Sequence, residues 1–200
     1  MTRQVDANHP IHDLLRQRWS PRAFADQAVA TDQLCSLLEA ARWAPSSYNE
    51  QPWFFLVATK DDPTEFARLL GCFVEFNQQW AKTAPVLMIS VASTKFSRNG
   101  KPNRHGYHDV GLAVENLVVQ GMALGIYTHQ MAGIDVEKIR QTYGIPDGFD
   151  PVAGIAVGYP GDPGALADEL RQRELTPSPR KAMQEFVYAG KWGQTAPWVK

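Results

Sequence analysis

A chain of 200 residues with 44% hydrophobic and 20% charged side chains can bury a sizeable core, so it fits one folded domain. Its formal net charge of −1 gives no electrostatic footprint for nucleic acid, which excludes that class of partner. The opening segment MTRQVDANHPIHDLL has no apolar signal-peptide core, and no apolar run reaches membrane-spanning length. We therefore expect a cytoplasmic protein without a membrane partner.

Helical and strand-like patterns alternate through the first half of the chain. A short helix is predicted for HPIHDLLRQR, and Thr31 is a suitable N-cap for a second helix, whose apolar residues recur at helical spacing until Pro45. A strand buried on both faces is predicted for the continuous apolar run WFFLVAT. Helical patterns then continue from Pro63 to Pro85, and VLMISVA predicts a second buried strand.

The second half adds the longest predicted helix and two further strands. Asp109 opens a helix that is apolar on most sides and ends near Gly125, which is typical of the middle of a molecule or of an interface. Strands are predicted for IYTHQMA and VAGIAVGYP, with a helix between them that has Asp135 as its N-cap. Helices alternating with short apolar strands predict an α/β or α+β domain.

Two segments have no evident place in that core. Residues 93–108 are polar, basic and without a regular pattern, and a compact domain rarely keeps so long a loop without a use. Residues 161–200 are rich in proline and charge but carry aromatic side chains that need cover. We therefore divide the single domain into a core, residues 1–160, and a C-terminal extension, residues 161–200, which docks on the parent body or on a second subunit.

The sequence lacks the usual motifs for a dinucleotide, a nucleoside triphosphate or a serine nucleophile: there is no GxGxxG after a strand, no GxxxxGKS/T and no GxSxG. Histidines stand three residues apart in HPIH and again in HGYHD, and such a cluster could seed a metal site. Their positions near a terminus and in a polar loop favour surface or substrate-facing histidines, so no metal ligand is assigned.

Two basic clusters suit a phosphate group. Arg18, Ser20 and Arg22 alternate in RWSPR, and in the extended backbone that proline imposes on the residue before it, alternate side chains face the same way. Arginine binds terminal phosphate oxygens bidentately. A second basic pair lies in the extension, at Arg180 and Lys181. Taken alone, each cluster is typical of a solvated surface.

Neutral polar side chains crowd the junction APSSYNEQPW between the second helix and the first strand. A phosphate at one end and a neutral hydrogen-bonding ring at the other describe flavin mononucleotide (FMN). Asn and Gln amides match the ring edge because each offers donors and an acceptor, and Ser hydroxyls adapt to either role. Turn chemistry does not require Gln51, so Ser46, Ser47, Asn49 and Gln51 are interpreted as flavin contacts.

The order of these motifs makes the chain resemble the nitroreductase family of FMN-dependent oxidoreductases. The matching segments are RWSPRAF, EAARWAPSSYNEQPWFF, DVGLAVENLVVQGMALG, VAGIAVGYPGD and PRKAMQEFV, in family order. The resemblance implies an α+β fold, with a central, mostly antiparallel sheet wrapped by helices, in an intertwined homodimer with two FMN sites at the subunit interface. It also implies that the long central helices form much of the dimer contact and that the extension embraces the partner subunit.

The resemblance also assigns cofactor-binding positions. The N-terminal phosphate and ribityl contacts are Arg18, Ser20 and Arg22, with Trp19 offering its backbone. The contacts to the flavin ring come from Pro45, Ser46, Ser47, Asn49, Gln51 and Asn77. The segment near flavin N5 is Gln130, Met131, Ala132 and Gly133, and the C-terminal phosphate clamp is Arg180 and Lys181. Many family members have an aromatic or acidic residue followed by paired glycines where this chain has Met131 and Ala132, which leaves the subfamily open.

The reaction implied by the resemblance is a ping-pong transfer of hydride from NAD(P)H through flavin N5 to a nitroaromatic, a quinone or free flavin. No catalytic side chain is assigned, because the flavin carries the chemistry. An acceptor pocket could be walled by Phe73, Phe76 and Trp80, although their helical spacing equally favours core packing. The alternatives are a specialised flavin-dependent dehydrogenase, a flavin-binding protein without turnover, and a metal-dependent hydrolase built on HGYHD.

Overall fold

The computed structural model describes Val5 and residues 7–199, and this part of the chain contains seven α-helices and four strands. The helices are α1 (Asp13–Gln17), α2 (Thr31–Arg42), α3 (Pro63–Leu70), α4 (Glu75–Ala81), α5 (Gly106–Ala123), α6 (Val136–Tyr143) and α7 (Asp168–Leu175). The strands are β1 (Trp53–Thr59), β2 (Val86–Ser93), β3 (Tyr127–Met131) and β4 (Phe149–Gly158). Short 3₁₀ turns cover Ser47–Asn49, Pro163–Ala165 and Met183–Glu185.

The sheet is antiparallel throughout and has the order β1-β2-β4-β3, so β1 and β3 are its edges. Alternate side chains of the central strand β2 enter two separate cores, as the period of a strand requires. Leu87 and Ile89 pack with α3, α4 and α6, whereas Val86 and Met88 pack with α2 and α5. Helices therefore cover both faces of the sheet, which confirms the predicted α+β architecture.

Two helix starts differ from the prediction. Thr31 is the first residue of α2 rather than its N-cap, which is Ala30. The longest helix, α5, begins at Gly106, so Asp109 lies in its first turn instead of opening it. The N-cap position of α5 is His105, and the Asp109 carboxylate accepts a hydrogen bond from the backbone N–H of Ser47 at 2.9 Å. It joins two distant segments, and sequence spacing alone cannot show such a contact.

Two further predictions about the first half need correction. The helical pattern between Pro63 and Pro85 is two helices, α3 and α4, because the chain between them pairs with a later segment through the bridge of Phe73 to Ile134. Strand β1 is a sheet edge, and it is not buried on both faces in the single chain, because its Phe54 side chain is 50% exposed.

The basic loop after β2 is ordered by its own backbone. Residues 94–103, called the cationic hairpin, contain a bridge between Lys95 and Pro102. The Phe96 N–H donates to the Lys101 carbonyl at 2.9 Å. The absence of a regular side-chain pattern in this segment therefore does not mean an absence of structure.

The C-terminal extension begins by packing on its own chain. Leu170 and Glu174 of α7 are buried, at 4% and 1% exposure. Beyond α7, the large side chains of Phe186, Trp192 and Trp198 are exposed. Docking of this distal part on a partner subunit stays a prediction. None of the described helices has the length and apolarity that a membrane span needs.

Candidate functional site

Residues 18–22, called the arginine segment, lie beside β3. Arg18 Nη1 donates to Ser20 Oγ at 3.4 Å, so these two side chains face the same way, as their alternation predicts. The Trp19 ring packs edge-on against the Tyr127 ring, with 6.2 Å between the ring centroids. The segment therefore presents its polar side chains from a position fixed against the sheet.

Glu174 of α7 holds the end of the arginine segment. Its carboxylate accepts from the Arg22 N–H at 2.9 and 3.0 Å and from the Ala23 N–H at 3.2 Å, and Arg22 Nη1 lies 3.8 Å from Glu174 Oε2. Burial lowers the pKa of the Arg22 guanidinium, and the Glu174 charge opposes that shift. Arg22 Nε is buried and has no acceptor among the described atoms, which leaves one N–H of this guanidinium for a ligand.

His129 adds a neutral ring to the same place. One of its ring nitrogens, Nδ1, lies 3.0 Å from the Pro21 carbonyl oxygen and must donate to it, which fixes the tautomer. The ring also packs against Trp80, with 4.5 Å between centroids. Burial, and then the charge of Arg22, lower the pKa of His129 to about 4, so the imidazole is uncharged near neutral pH.

The segment after β3 is packed tightly against α4. The buried Asn77 donates from Nδ2 to the Gly133 carbonyl oxygen at 3.0 Å, and the Val74 backbone N–H donates to the same oxygen at 3.1 Å. A side chain at Gly133 would overlap the Asn77 amide and approach Val74 Cγ2 to 2.8 Å, so any other residue would have to displace one of them. Met131 is buried, while Gln130 and Ala132 are exposed. Asn77 thus lies against Gly133, while the same helix, α4, reaches the arginine segment through the contact of Trp80 with His129.

Residues 45–51, called the amide loop, have an unusual backbone. Tyr48, Asn49 and Gln51 have φ angles of 57°, 56° and 52°, a region that residues other than glycine rarely adopt. Such strain persists only where the surroundings impose it, and it concentrates at functional sites. Asparagine tolerates this region in turns, but Tyr48 and Gln51 have no turn chemistry that favours it, so the loop is a candidate for a role beyond reversing the chain.

Local contacts hold the amide loop in this shape. The Gln51 N–H donates to Ser46 Oγ at 3.0 Å, and Gln51 Nε2 donates to the Asn49 carbonyl at 3.3 Å. The buried Asp109 accepts from the Ser47 N–H, as described above. Asn49 and Gln51 remain exposed, as does Pro45, so a ligand can reach the Asn49 amide and the amide oxygen of Gln51.

The single chain does not bring the amide loop and the arginine segment together. The loop precedes β1, while β3 ends on the opposite edge of the sheet, with β2 and β4 between them. Three interstrand spacings amount to about 14 Å. In the described part of the chain, no hydrogen bond of Arg18, Ser20 or Arg22 reaches the amide loop.

The remaining predicted positions are scattered. Phe73 and Trp80 are core residues at 2% and 1% exposure, so of the three predicted pocket residues only Phe76 can meet a ligand. The Arg173 guanidinium lies 5.1 Å from the centre of the Phe76 ring.

An open cavity of about 470 Å³ lies between the arginine segment and the extension. It is lined by Arg22, Glu169, Gln172, Arg173, Thr176, Pro177 and Ser178.

The basic pair of the extension follows that cavity. Arg180 and Lys181 are exposed, and Arg180 Nη1 donates to the carbonyls of Ser178 and Pro179 at 2.9 and 3.2 Å. Among the described residues, no hydrogen bond or ion pair joins either side chain to the arginine segment. Their role as a phosphate clamp stays a prediction.

The HGYHD motif does not assemble a ligand set. His108 Nδ1 lies 3.0 Å from Asp109 Oδ1, but no group of three His, Cys, Asp or Glu side chains among the described residues could hold a metal ion.

Comparison with known proteins identifies the family. The chain matches the model of the Nitroreductase family over residues 15–72 and 70–159. It belongs to the nitroreductase family. A crystal structure described as an oxidoreductase containing FMN has a TM-score of 0.89 and 35% identity to this nitroreductase-family chain, covering 95% of it and 96% of that chain. FMN reductase (NAD(P)H) of Bacillus subtilis is 25% identical over 186 residues, which is 84% of this chain and 72% of that protein. Oxygen-insensitive NADPH nitroreductase of Helicobacter pylori is 29% identical over 137 residues, 65% of this chain and 62% of that protein.

Two residues of this nitroreductase-family site were missed by sequence reasoning. Glu174 stands in the charged run LRQREL, where it is indistinguishable from a solvated acid, and its partners are more than 150 positions away. His129 stands in a strand that the sequence did predict, but its burial depends on Trp80 and on the arginine segment. A polar side chain at alternating spacing within a short apolar strand was the available signal.

Proposed function

We propose that this nitroreductase-family protein is an FMN-dependent oxidoreductase that takes hydride from NAD(P)H and passes it to a small oxidised acceptor. The observation that carries the proposal is the arginine segment, where a buried carboxylate fixes the backbone at Arg22 and leaves a buried guanidinium N–H without an acceptor. The related B. subtilis protein named FMN reductase (NAD(P)H) and the FMN-containing oxidoreductase structure support the same cofactor and reductant.

The residues present fit FMN at both ends. Arg18 and Arg22 offer guanidinium groups for a phosphate, and the free Nε of Arg22 supplies an unused donor. The exposed amides of Asn49 and Gln51 offer neutral donors and acceptors for the ring. The close packing at Gly133 keeps Asn77 beside the segment that follows β3.

A homodimer would complete the site. The amide loop and the arginine segment lie on opposite edges of one sheet, so a second copy of the chain can bring its amide loop to the first chain's arginine segment. The exposed edge residue Phe54 and the exposed aromatics of the extension would be covered in the same contact. A cytoplasmic location, expected from the sequence, belongs to this proposal.

Bound FMN would supply the hydride chemistry, with a nitroaromatic, a quinone or free flavin as acceptor. The chain's own residues bind and orient. Glu174 fixes the direction of Arg22, and the neutral His129 packs beside it without adding a second positive charge. Asp109 holds the strained amide loop so that its amides point outward before a ligand arrives.

Colour and anaerobic reduction test the proposal. The purified protein should be yellow, and NADH or NADPH should bleach it in the absence of oxygen, with colour restored by a quinone or a nitroaromatic. Yellow protein that neither nicotinamide bleaches would instead support a flavin-binding protein without turnover or a specialised dehydrogenase. Colourless protein that does not take up FMN would contradict the proposal.

Asn49→Ala and Gln51→Ala should weaken FMN binding and shift the reduction potential of the bound flavin, while the fold is kept. The reason is that both amides are exposed and neither supports the core. Fluorescence titration and potentiometry measure the two effects, with Gln141→Ala on the exposed face of α6 as control. If both variants kept the wild-type FMN affinity and flavin reduction potential, the amide loop would serve only to turn the chain.

Glu174→Ala should lower both the free energy of unfolding and the affinity for FMN. Removing this buried acceptor leaves two backbone N–H groups unsatisfied, which costs about 3 kcal/mol, and it frees the Arg22 guanidinium. Glu174→Gln keeps an acceptor oxygen and should recover part of both losses. Urea unfolding and FMN titration measure them, with Glu137→Ala on α6 as control. A destabilised variant with unchanged FMN affinity would show that Glu174 is structural and does not position Arg22.

A further inference from the structure

The cationic hairpin, residues 94–103, carries an unbalanced positive charge. Residues 93–108 include Lys95, Arg98, Lys101 and Arg104 and no acidic residue. All four cationic side chains are exposed, and no carboxylate in the described part of the chain forms an ion pair with any of them. Glu50 of the amide loop is the carboxylate at the hairpin: it accepts from the Ser97 N–H at 2.5 Å but forms no ion pair with any of these four described side chains.

The hairpin is fixed directly against the amide loop. The Tyr48 and Phe96 rings pack edge to face with 5.8 Å between centroids. The Arg98 guanidinium lies over the Tyr48 ring, 4.1 Å from its centre, and 5.3 Å from the centre of Phe96. Stacking on two rings limits the freedom of the guanidinium while leaving its N–H fork open to solvent. Tyr48 stands between Ser47 and Asn49, so the charge is held at the loop proposed to face the flavin.

We propose that the cationic hairpin binds the phosphate groups of the dinucleotide reductant. The inference rests on the proposed function, because it assumes that NAD(P)H approaches a flavin at the amide loop. When the nicotinamide ring of the dinucleotide reaches this loop, the pyrophosphate of the same molecule comes within reach of neighbouring cationic side chains. NADPH also brings a 2′-phosphate. Arg98 supplies a planar fork for such oxygens, and Lys101 supplies a mobile charge on the opposite strand of the hairpin.

The double variant Arg98→Ala/Lys101→Ala tests this proposal in the intact, FMN-loaded protein. The rate of anaerobic flavin reduction is measured with NADPH, with NADH and with N-benzyl dihydronicotinamide, an uncharged hydride donor. The second-order rate constant with the phosphate-bearing donors should fall by about tenfold, the lower end for charge-assisted contacts because the hairpin is exposed. The rate with the uncharged donor should stay unchanged. If the rate constant falls with NADPH alone, the hairpin binds the 2′-phosphate. If it falls equally with NADH, the hairpin binds the pyrophosphate.

The salt dependence and a matched control variant test whether the effect is electrostatic and specific to the hairpin. Raising the ionic strength should slow the wild-type reaction with NADPH and should affect the double variant less, because salt screens exposed charges. Lys60→Gln removes a positive charge next to the opposite end of β1 and should leave all three rates as in the wild type. FMN content is measured in parallel, so loss of the cofactor is not mistaken for loss of donor binding.

Three results would overturn the hairpin proposal. The first is an equal fall with the uncharged donor, and the second is no fall with either dinucleotide. The third is an effect confined to reoxidation by para-nitrobenzoate, with nitrobenzene and both dinucleotides unaffected, which would assign the hairpin to anionic acceptors. Yellow protein that NADPH bleaches at the wild-type rate in the double variant removes the hairpin proposal alone. Failure of the wild-type protein to bind FMN removes the proposed function itself.

Discussion

Truncation after Gly161 is expected to abolish both dimer formation and flavin binding. The deletion removes α7, so the Arg22 and Ala23 N–H groups lose the Glu174 carboxylate and the core loses Leu170. It also removes the aromatic side chains beyond α7, of which Trp192 is 91% exposed and Trp198 is 69% exposed in the single chain. Exposed side chains of this size are typical of an interface with a partner.

A second truncation separates the loss of α7 from the loss of the aromatic side chains beyond it. A chain that ends after Thr176 keeps α7 and Glu174, so it should fold but fail to dimerise. Sedimentation gives the mass of each variant, circular dichroism its folding, and absorbance its flavin content. A chain ending at Gly161 that stays dimeric and yellow would contradict the structural role of the extension.

Arg18→Ala should weaken FMN binding by about tenfold to a hundredfold, since a charge-assisted contact contributes about 1.5–3 kcal/mol. Riboflavin lacks the phosphate, so its affinity should change much less. The comparison of the two flavins isolates the phosphate contact from any general loss of the site. Isothermal titration of the apoprotein with each flavin measures both affinities.

Arg42→Ala is the matched control for this experiment. Arg42 is an exposed arginine of α2 whose guanidinium pairs with Glu39 in the same helix, so its loss should leave both flavins unaffected. Equal losses of FMN and riboflavin affinity in Arg18→Ala would contradict the assignment of Arg18 to the phosphate.

The elements of the fold could be predicted because hydrophobic spacing determines them. All four strands and the helices α2, α5 and α6 follow from local apolar patterns. The edge position of β1 could not be predicted, since WFFLVAT and VLMISVA have the same pattern, and only strand pairing decides that the first is an edge. The role of Asp109 could not be predicted either, because its carboxylate bonds the backbone of Ser47, which is distant in sequence.

The site was predictable only where a motif lies in one short segment. The arginine segment and the amide loop each follow from side-chain chemistry over a few residues. Glu174 and His129 act through contacts with the arginine segment that the fold creates, and their own sequence surroundings are unremarkable. Phe73 and Trp80 fit a pocket wall and a core equally well by spacing, and their burial favours the core.

Mixed dimers provide the most direct measurement of the central proposal, that one FMN site combines the arginine segment of one chain with the amide loop of its partner. One chain carries Arg18→Ala and Arg22→Ala, the other carries Asn49→Ala and Gln51→Ala, and neither homodimer should hold FMN tightly. Co-expression with two different tags gives mixed dimers in which one of the two shared sites has only wild-type residues. Random pairing makes about half of all dimers mixed, and each of these has one intact site. The unseparated mixture should therefore recover about a quarter of the wild-type flavin content and NAD(P)H-dependent activity. Mixed dimers that form but hold no more flavin than the two homodimers would contradict a shared site.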